Sequence, residues 1–333
     1  MLLDSISSPS AYSSILYTIF GISLPIHLFG AYCVLYKTPV LMKSVKLALF
    51  NLNFWAATLD FSITLFMQPY YCTPANAGLS LGLWSWTSVP TIVPALVTML
   101  TFRLVPVSII AMFENRYFVL FVRKGAWRYV RYPFLIANHI LAIAYCISVY
   151  FDIPVDQEYS RRLVFQKFPQ ACELVASKSI IFVVYIGEDY WVNIREPSLN
   201  LMVMIEVLFF AVLLRVKMKQ AVKIIQSSVS RDTLEKQKKF IRALNLQIAI
   251  PMLIIFLPAT FAAFLGAQSS IQQGLDNLLT IITSFHGVSA TILMIYLQKP
   301  YRDAFFVVFC NRKKPMELKG SGYFHLQSYL DVM

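Results

Sequence analysis

The chain has 333 residues, of which 58% are hydrophobic and only 14% charged, with a formal net charge of +12. Soluble domains carry about a quarter charged residues, so this composition and a mean hydropathy of +0.62 exclude an ordinary soluble enzyme. The basic excess does not point to nucleic acid, because it is confined to segments beside long apolar runs, where anionic inner-leaflet lipid attracts it.

Apolar stretches long enough to cross a bilayer, about 20 residues each, predict seven spans: Tyr12–Tyr36, Val45–Met67, Val89–Phe113, Tyr132–Phe151, Pro197–Leu214, Phe240–Leu265 and Gly274–Leu297. The fold class expected is therefore an all-α membrane protein, a seven-transmembrane helix bundle filling the chain as one domain. A cytosolic tail (298–333) with a short interfacial helix follows it. Lys37, Lys43 and Lys46 separate the first two spans, and Arg116, Arg123, Lys124, Arg128 and Arg131 follow the third. Nine Lys and Arg lie between Arg215 and Arg242, and six more from Lys299 onward. The intervening loops Gln68–Ser88 and Leu265–Gln273 carry none. Only the long loop Asp152–Glu196 breaks the pattern, with five basic against seven acidic residues. Positive charge accumulates on the cytosolic side, so the N-terminus is expected outside and the C-terminus in the cytosol. Met1–Ser10 has no basic n-region, so a cleavable signal peptide is not expected.

Three ionisable residues fall inside spans: Asp60 in the second, Arg103 in the third and Glu206 in the fifth. Intramembrane charges usually face the bundle interior or a polar cavity. At 1.5 Å rise per residue they sit roughly 21, 20 and 13 Å from the inner boundary. Comparable depth and opposite sign suggest one polar network in which Arg103 pairs with Glu206, Asp60 or both. Its alternatives are a packing ion pair or a cavity lining. Lone histidines, His27 and His139, read as helix-to-helix hydrogen-bonding groups. His286 lies in a polar run with Thr280, Thr283, Ser284, Gly287, Ser289 and Thr291, a small face that favours close helix approach or lines a cavity. Prolines at positions 25, 94, 106, 251 and 258 each remove a backbone hydrogen bond. Pro251 and Pro258 are the expected hinge of the sixth span, whose inner end is basic.

Cys33 and Cys146 fall within spans, while Cys72 and Cys172 share the oxidising side, where a disulfide between them is permitted and its geometry is left open. Cys310 ends the amphipathic run Asp303-Ala-Phe-Phe-Val-Val-Phe-Cys310, which suits an interfacial helix. The thiol there is either palmitoylated or unmodified. No metalloprotease, nucleophile-elbow or phosphate-loop pattern occurs, so the chain is not expected to be an enzyme, and neither a cofactor nor a metal is expected. No internal repeat suggests a transporter.

Several stretches in order carry a family resemblance: Pro25-Ile-His-Leu-Phe-Gly-Ala-Tyr-Cys33, Met42-Lys-Ser-Val-Lys46, Asn51-Leu-Asn-Phe-Trp55, Leu59-Asp60, Phe113-Glu-Asn-Arg-Tyr117, Gln237-Lys-Lys-Phe240, Ala243-Leu-Asn-Leu-Gln247, Ile250-Pro251, His286-Gly-Val-Ser289 and Lys299-Pro-Tyr-Arg302. Spread from the first span to the last, they resemble the nematode chemosensory serpentine receptors of class H. The resemblance implies a G-protein-coupled chemosensory receptor for an environmental small molecule or pheromone-like ligand, in the plasma membrane of sensory neurons and their cilia. Glu114, Arg116 and Tyr117 look like the acid-Arg-Tyr motif of rhodopsin-like receptors with Asn115 inserted. Arg116 would contact the G protein or lock the inactive state. Asp60 matches the second-span acid that binds sodium in those receptors. Pro300, Tyr301 and Arg302 occupy the place of the Asn-Pro-x-x-Tyr motif, without its asparagine or spacing. The partners implied are a small-molecule ligand, a heterotrimeric G protein and the lipid bilayer, with a receptor dimer left open and no nucleic acid. The alternative reading is a ligand-gated seven-helix channel of the insect olfactory type, which would place the N-terminus in the cytosol.

Overall fold

The computed structural model describes residues 2–40, 43–73, 75–122, 125–175, 180–187, 190–225 and 272–310, with isolated positions 246, 253, 254 and 258. A short helix α1 (Leu2–Ser7) leads into α2 (Pro9–Tyr36), which opens with proline in its first turn after the extended Ser8. Proline is tolerated there because the first helical N–H groups have no intrahelical partner anyway. The second span runs as α3 (Lys43–Phe61) and continues as one π-helical turn, Ser62–Phe66. Helices α4 (Ile92–Phe121), α5 (Trp127–Asp152) and α7 (Tyr190–Ile225) follow, with α6 (Gln157–Lys167) between the last two. The seventh span is broken at Phe285 into α8 (Gln272–Ser284) and α9 (His286–Leu297). The amphipathic α10 (Lys299–Phe309) then turns away, as the run ending at Cys310 predicts.

Among the described residues five helical segments are long and apolar enough to cross a membrane: Pro9–Tyr36, Ile92–Phe121, Trp127–Asp152, Ile194–Gln220 and Gln273–Leu297. Two-thirds of the apolar stretch of α4 is buried, against a third or less in α2, α5 and α7. The third span is therefore the central post, packed by α3, α5 and α7. The apolar faces that remain exposed on the outer helices are what a lipid solvent requires. Helix α7 is longer at both ends than the predicted 197–214. With 36 residues it extends about 54 Å, well beyond a hydrocarbon core of about 30 Å. Helical hydrogen bonding continues past the apolar region because Lys and Arg are good helix formers. The C-terminal part of α7 carries Arg215, Lys217, Lys219 and Lys223. The predicted sixth span and its hinge at Pro251 lie outside the described residues; Pro258 is helical and buried.

Among the described residues two large apolar clusters and a small one (Leu104, Val107 and Ala142) fill the bundle. The inner one joins Cys33, Leu49, Leu59, Val105, Ile109, Phe113, Phe210, Leu214 and Tyr301. The outer one joins Tyr12, Leu16, Tyr70, Leu79, Ile181, Val183 and Ile281 around Cys72 and Cys172. Segments read from sequence as loops here form a small antiparallel sheet: β1 (Pro69–Tyr71), β2 (Ala77–Ser80) and β3 (Phe182–Val183), paired Tyr70 to Leu79 and Gly78 to Phe182. The pairing of β1 and β2 is close at Gly78, where a Cβ would lie 2.7 Å from the Tyr70 carbonyl oxygen. Cys72 and Cys172 are joined by a disulfide with Cα atoms 4.9 Å apart, tying the long outer loop to the sheet. The N-terminus is held down as well. Tyr70 Oη donates to Ser7 O (2.7 Å), Asn277 Nδ2 to Ile6 O (2.9 Å) and Tyr12 Oη to Pro69 O (2.9 Å). Burial pushes the Tyr70 phenol up to about 12, so it remains a donor across the physiological range.

Candidate functional site

Polar side chains inside the bundle gather in three places. At mid-depth, α2, α3 and the break in the seventh span converge on Asp60, which is fully buried. Breaking a helix frees the first N–H groups of its second half. Asp60 takes them: Gly287 N–H donates to Oδ1 (3.2 Å) and Val288 N–H to Oδ2 (3.0 Å). His27 Nε2 completes the set, 2.9 Å from Oδ2. The other ring nitrogen of His27 lies 3.2 Å from Thr291 Oγ1, which donates to Asn53 Oδ1 (3.1 Å). One carboxylate thus binds the first, second and seventh spans together. Its position at the start of α9 is also where the helix dipole favours negative charge. The approach is close at Gly287, where a Cβ would lie 2.5 Å from Asp60 Oδ2 and 2.8 Å from Ala56 O. Next to this cluster, His286 is fully buried and neither ring nitrogen has a hydrogen-bond partner among the described residues.

At Asp60, to which the resemblance attaches a sodium-binding role, both oxygens accept backbone N–H groups and the His27 ring lies against Oδ2.

The inner end of α4 separates residues that the motif resemblance groups together. Glu114 is fully buried, but its partners are on α5: Arg131 Nη2 at 2.9 Å and Trp127 Nε1 at 2.8 Å. Residues two apart on a helix do not face one another, so the inserted Asn115 turns Glu114 and Arg116 to different sides. Arg116 is also buried and lies within electrostatic reach of Tyr301. Tyr301 Oη is 2.7 Å from Thr38 Oγ1 at the end of the first span. Tyr117 packs beside Phe121. Pro300 sits in the first turn of α10, and Arg302 Nη1 donates to the Tyr296 carbonyl (3.2 Å). Cys310 is an exposed free thiol at the end of α10.

The expected single network of Asp60, Arg103, Glu206 and His286 is corrected by the structure. Arg103 pairs with neither Glu206 nor Asp60. Its Nη2 donates to Glu196 Oε1 (2.8 Å) and its Nη1 to Asn200 Oδ1 (2.5 Å), while the Tyr145 ring lies 4.3 Å from the guanidinium carbon. Glu206 faces the Asn138 amide, and its Oε2 has no partner among the described residues. Depth along a helix axis is readable from residue spacing; the direction around the axis is not, and charges at one depth meet only if they share a face. Arg103 and Glu114 are eleven residues apart, about three turns; Glu114 bonds to α5, whereas Arg103 bonds to α7 and packs against the Tyr145 ring of α5. The partners missed at the sequence level had a readable signal. Glu196 and Asn200, and likewise Trp127 and Arg131, are spaced i, i+4, so each pair presents one face. Hydropathy places Glu196 in the outer loop because the start of α7 is polar.

With this geometry in place, comparison with known proteins gives a consistent picture. The chain is 26% identical over 307 residues to Serpentine receptor class H-72 of Caenorhabditis elegans, covering 88% of this chain and 84% of that one. Its fold is similar to the crystal structure of squid rhodopsin, with a TM-score of 0.57 across 97% of this chain and 91% of that one. At 12% identity that likeness speaks for the fold alone, a rhodopsin-like bundle. A model of the family described as serpentine type 7TM GPCR chemoreceptor Srh matches residues 7–311. This protein belongs to the Srh family of multi-pass serpentine chemoreceptors.

Proposed function

We propose that this chemoreceptor binds an environmental small molecule or pheromone-like ligand from its outer side and signals to a heterotrimeric G protein at its inner loops. The N-terminus would then be extracellular and the C-terminus cytosolic, in the plasma membrane of sensory neurons and their cilia. The observation that carries the reading is Arg116, a guanidinium buried at the inner end of the central helix beside Tyr301. The bond between Tyr301 and Thr38 ties α10 to the end of the first span, and Arg116 of the third span lies within electrostatic reach of Tyr301. A buried cation is retained at a cost in desolvation, and exposing it on a partner-facing surface offers a reason for that cost. The basic extension of α7 adds an electrostatic landing surface at the same end.

Ligand binding shifts the bundle between two states only by the difference in its affinity for them. Moving a 1:99 balance to 99:1 takes about 5.5 kcal/mol, more than a small odorant readily supplies, so partial activation is expected. Arg116→Ala should abolish ligand-dependent G-protein activation while surface expression persists. Normal signalling by a well-expressed Arg116→Ala receptor would remove the mechanism. Epitopes at the two termini, stained before and after permeabilisation, test the orientation. An N-terminal epitope reached only after permeabilisation would favour the channel alternative.

A further inference from the structure

The Arg103 cluster lies in the outer part of the bundle, between the third, fourth and fifth spans, and its hydrogen bonding is incomplete in a specific way. The Arg103 side chain is 9% exposed, whereas that of its only carboxylate partner among the described residues, Glu196, is 55% exposed. The cation is therefore the fixed member of the pair and the anion the replaceable one. A guanidinium presents paired N–H groups that match both oxygens of a carboxylate. Here that match is half made. Nη2 holds one oxygen of Glu196, while the other turns to Tyr145 Oη at the long distance of 3.4 Å. The neighbouring Nε of Arg103 is buried and has no partner among the described residues. Asn200 holds Nη1, and Tyr145 and Phe102 place rings against the guanidinium, so its orientation is set from the far side. A second guanidinium, Arg195, lies 5.5 Å from the same Tyr145 ring and is paired with Asp152 at 2.6 Å. Its Nε is also buried without a partner among the described residues.

We infer that Arg103 is the recognition residue for a small monocarboxylate, which binds side-on through Nε and Nη2 and displaces Glu196 into solvent. This deepens the chemoreceptor reading above and rests on it for the ligand's role. The carboxylate would engage one N–H that now has no partner. The half-exposed Glu196 regains water on release, and the ligand carboxylate takes its place as counter-charge, so the buried guanidinium is not left unpaired. Glu196 thereby acts as an internal competitor, holding the buried cation neutralised until a ligand anion arrives.

The test is binding without a G protein: thermal unfolding of the full-length receptor in lipid nanodiscs, titrated with butanoate, octanoate or dodecanoate, and with octanol as the uncharged control. At least one carboxylate should stabilise the native protein, and octanol should not. Glu196→Gln, with the competitor removed, should bind that carboxylate about tenfold more tightly. Arg103→Gln should not respond. Arg103→Lys, which keeps the charge but not the fork, should bind at least about tenfold more weakly; it also covers the case in which Arg103→Gln fails to fold. Stabilisation that is equal in wild type and Arg103→Lys, or absent for every carboxylate in both wild type and Glu196→Gln, overturns the inference. Signalling is not read in this experiment, so a failure of G-protein coupling in the Arg116 test leaves its outcome unaffected.

Discussion

Replacing Asp60 by asparagine tests whether one carboxylate holds the broken seventh span to the first two. Asparagine preserves the shape but exchanges one acceptor oxygen for a donating amide. Three N–H groups point at the carboxylate, two at Oδ2 and one at Oδ1. With the new amide nitrogen at the Oδ1 position, the Gly287 N–H would face another donor. The bonds from His27 and Val288 would fall from charge-assisted to neutral strength. A buried N–H without a partner costs about 1–3 kcal/mol, and a bond to a charged group exceeds a neutral one by about 1 kcal/mol. The expected loss is about 3–5 kcal/mol. At about 2 °C per kcal/mol for a chain of this size, Tm should fall by about 6–10 °C in nanodiscs, read by tryptophan fluorescence. Amide exchange at Gly287 and Val288 should accelerate, because their acceptor is lost or weakened. A cycle with His27→Gln should show coupling of about 1–2 kcal/mol, as expected for residues in direct contact. An unchanged Tm together with unchanged exchange at those two amides would refute the idea that Asp60 caps α9.

Gly287→Ala places a methyl against Asp60 Oδ2 and the Ala56 carbonyl oxygen and should cost about 1–3 kcal/mol by overpacking, seen as a lower Tm; a neutral result would mean that the second and seventh spans are less closely bound here. Cys72→Ser removes a cross-link between positions 100 residues apart, and the expected destabilisation is about 2–4 kcal/mol. Loss of the outer sheet's protection from amide exchange would accompany it. Glu114→Gln leaves Arg131 buried beside a neutral amide and should cost about 3 kcal/mol, as breaking one side of a buried pair does; thermal unfolding of Glu114→Gln, Arg131→Gln and the double variant separates the pair's coupling from the desolvation of either partner.

What was legible in the residues follows from solvent. A bilayer demands about 20 apolar residues per helix, and its charged inner face selects where Lys and Arg collect, so the class of fold and the amphipathic character of α10 are local properties of the chain. Arg103, Asp60 and Glu206 also stood out, because a charge in hydrocarbon needs a reason. Their partners were decided by tertiary structure. The insertion of Asn115 between Glu114 and Arg116 changes the helical angle between them, and only the placement of α5 and α10 determines that Glu114 meets Arg131 while Arg116 lies within electrostatic reach of Tyr301. The break at Phe285 has no proline to announce it. It exists because Asp60, on another helix, supplies the acceptors that the interrupted backbone lacks. The outer sheet is similar: β1, β2 and β3 are two to four residues long, too short to show a period, and they form strands because the Cys72–Cys172 bridge and the helix ends bring them together. Hydropathy is a sum over neighbours in sequence; pairing depends on direction around each helix axis, which only packing against the other helices sets.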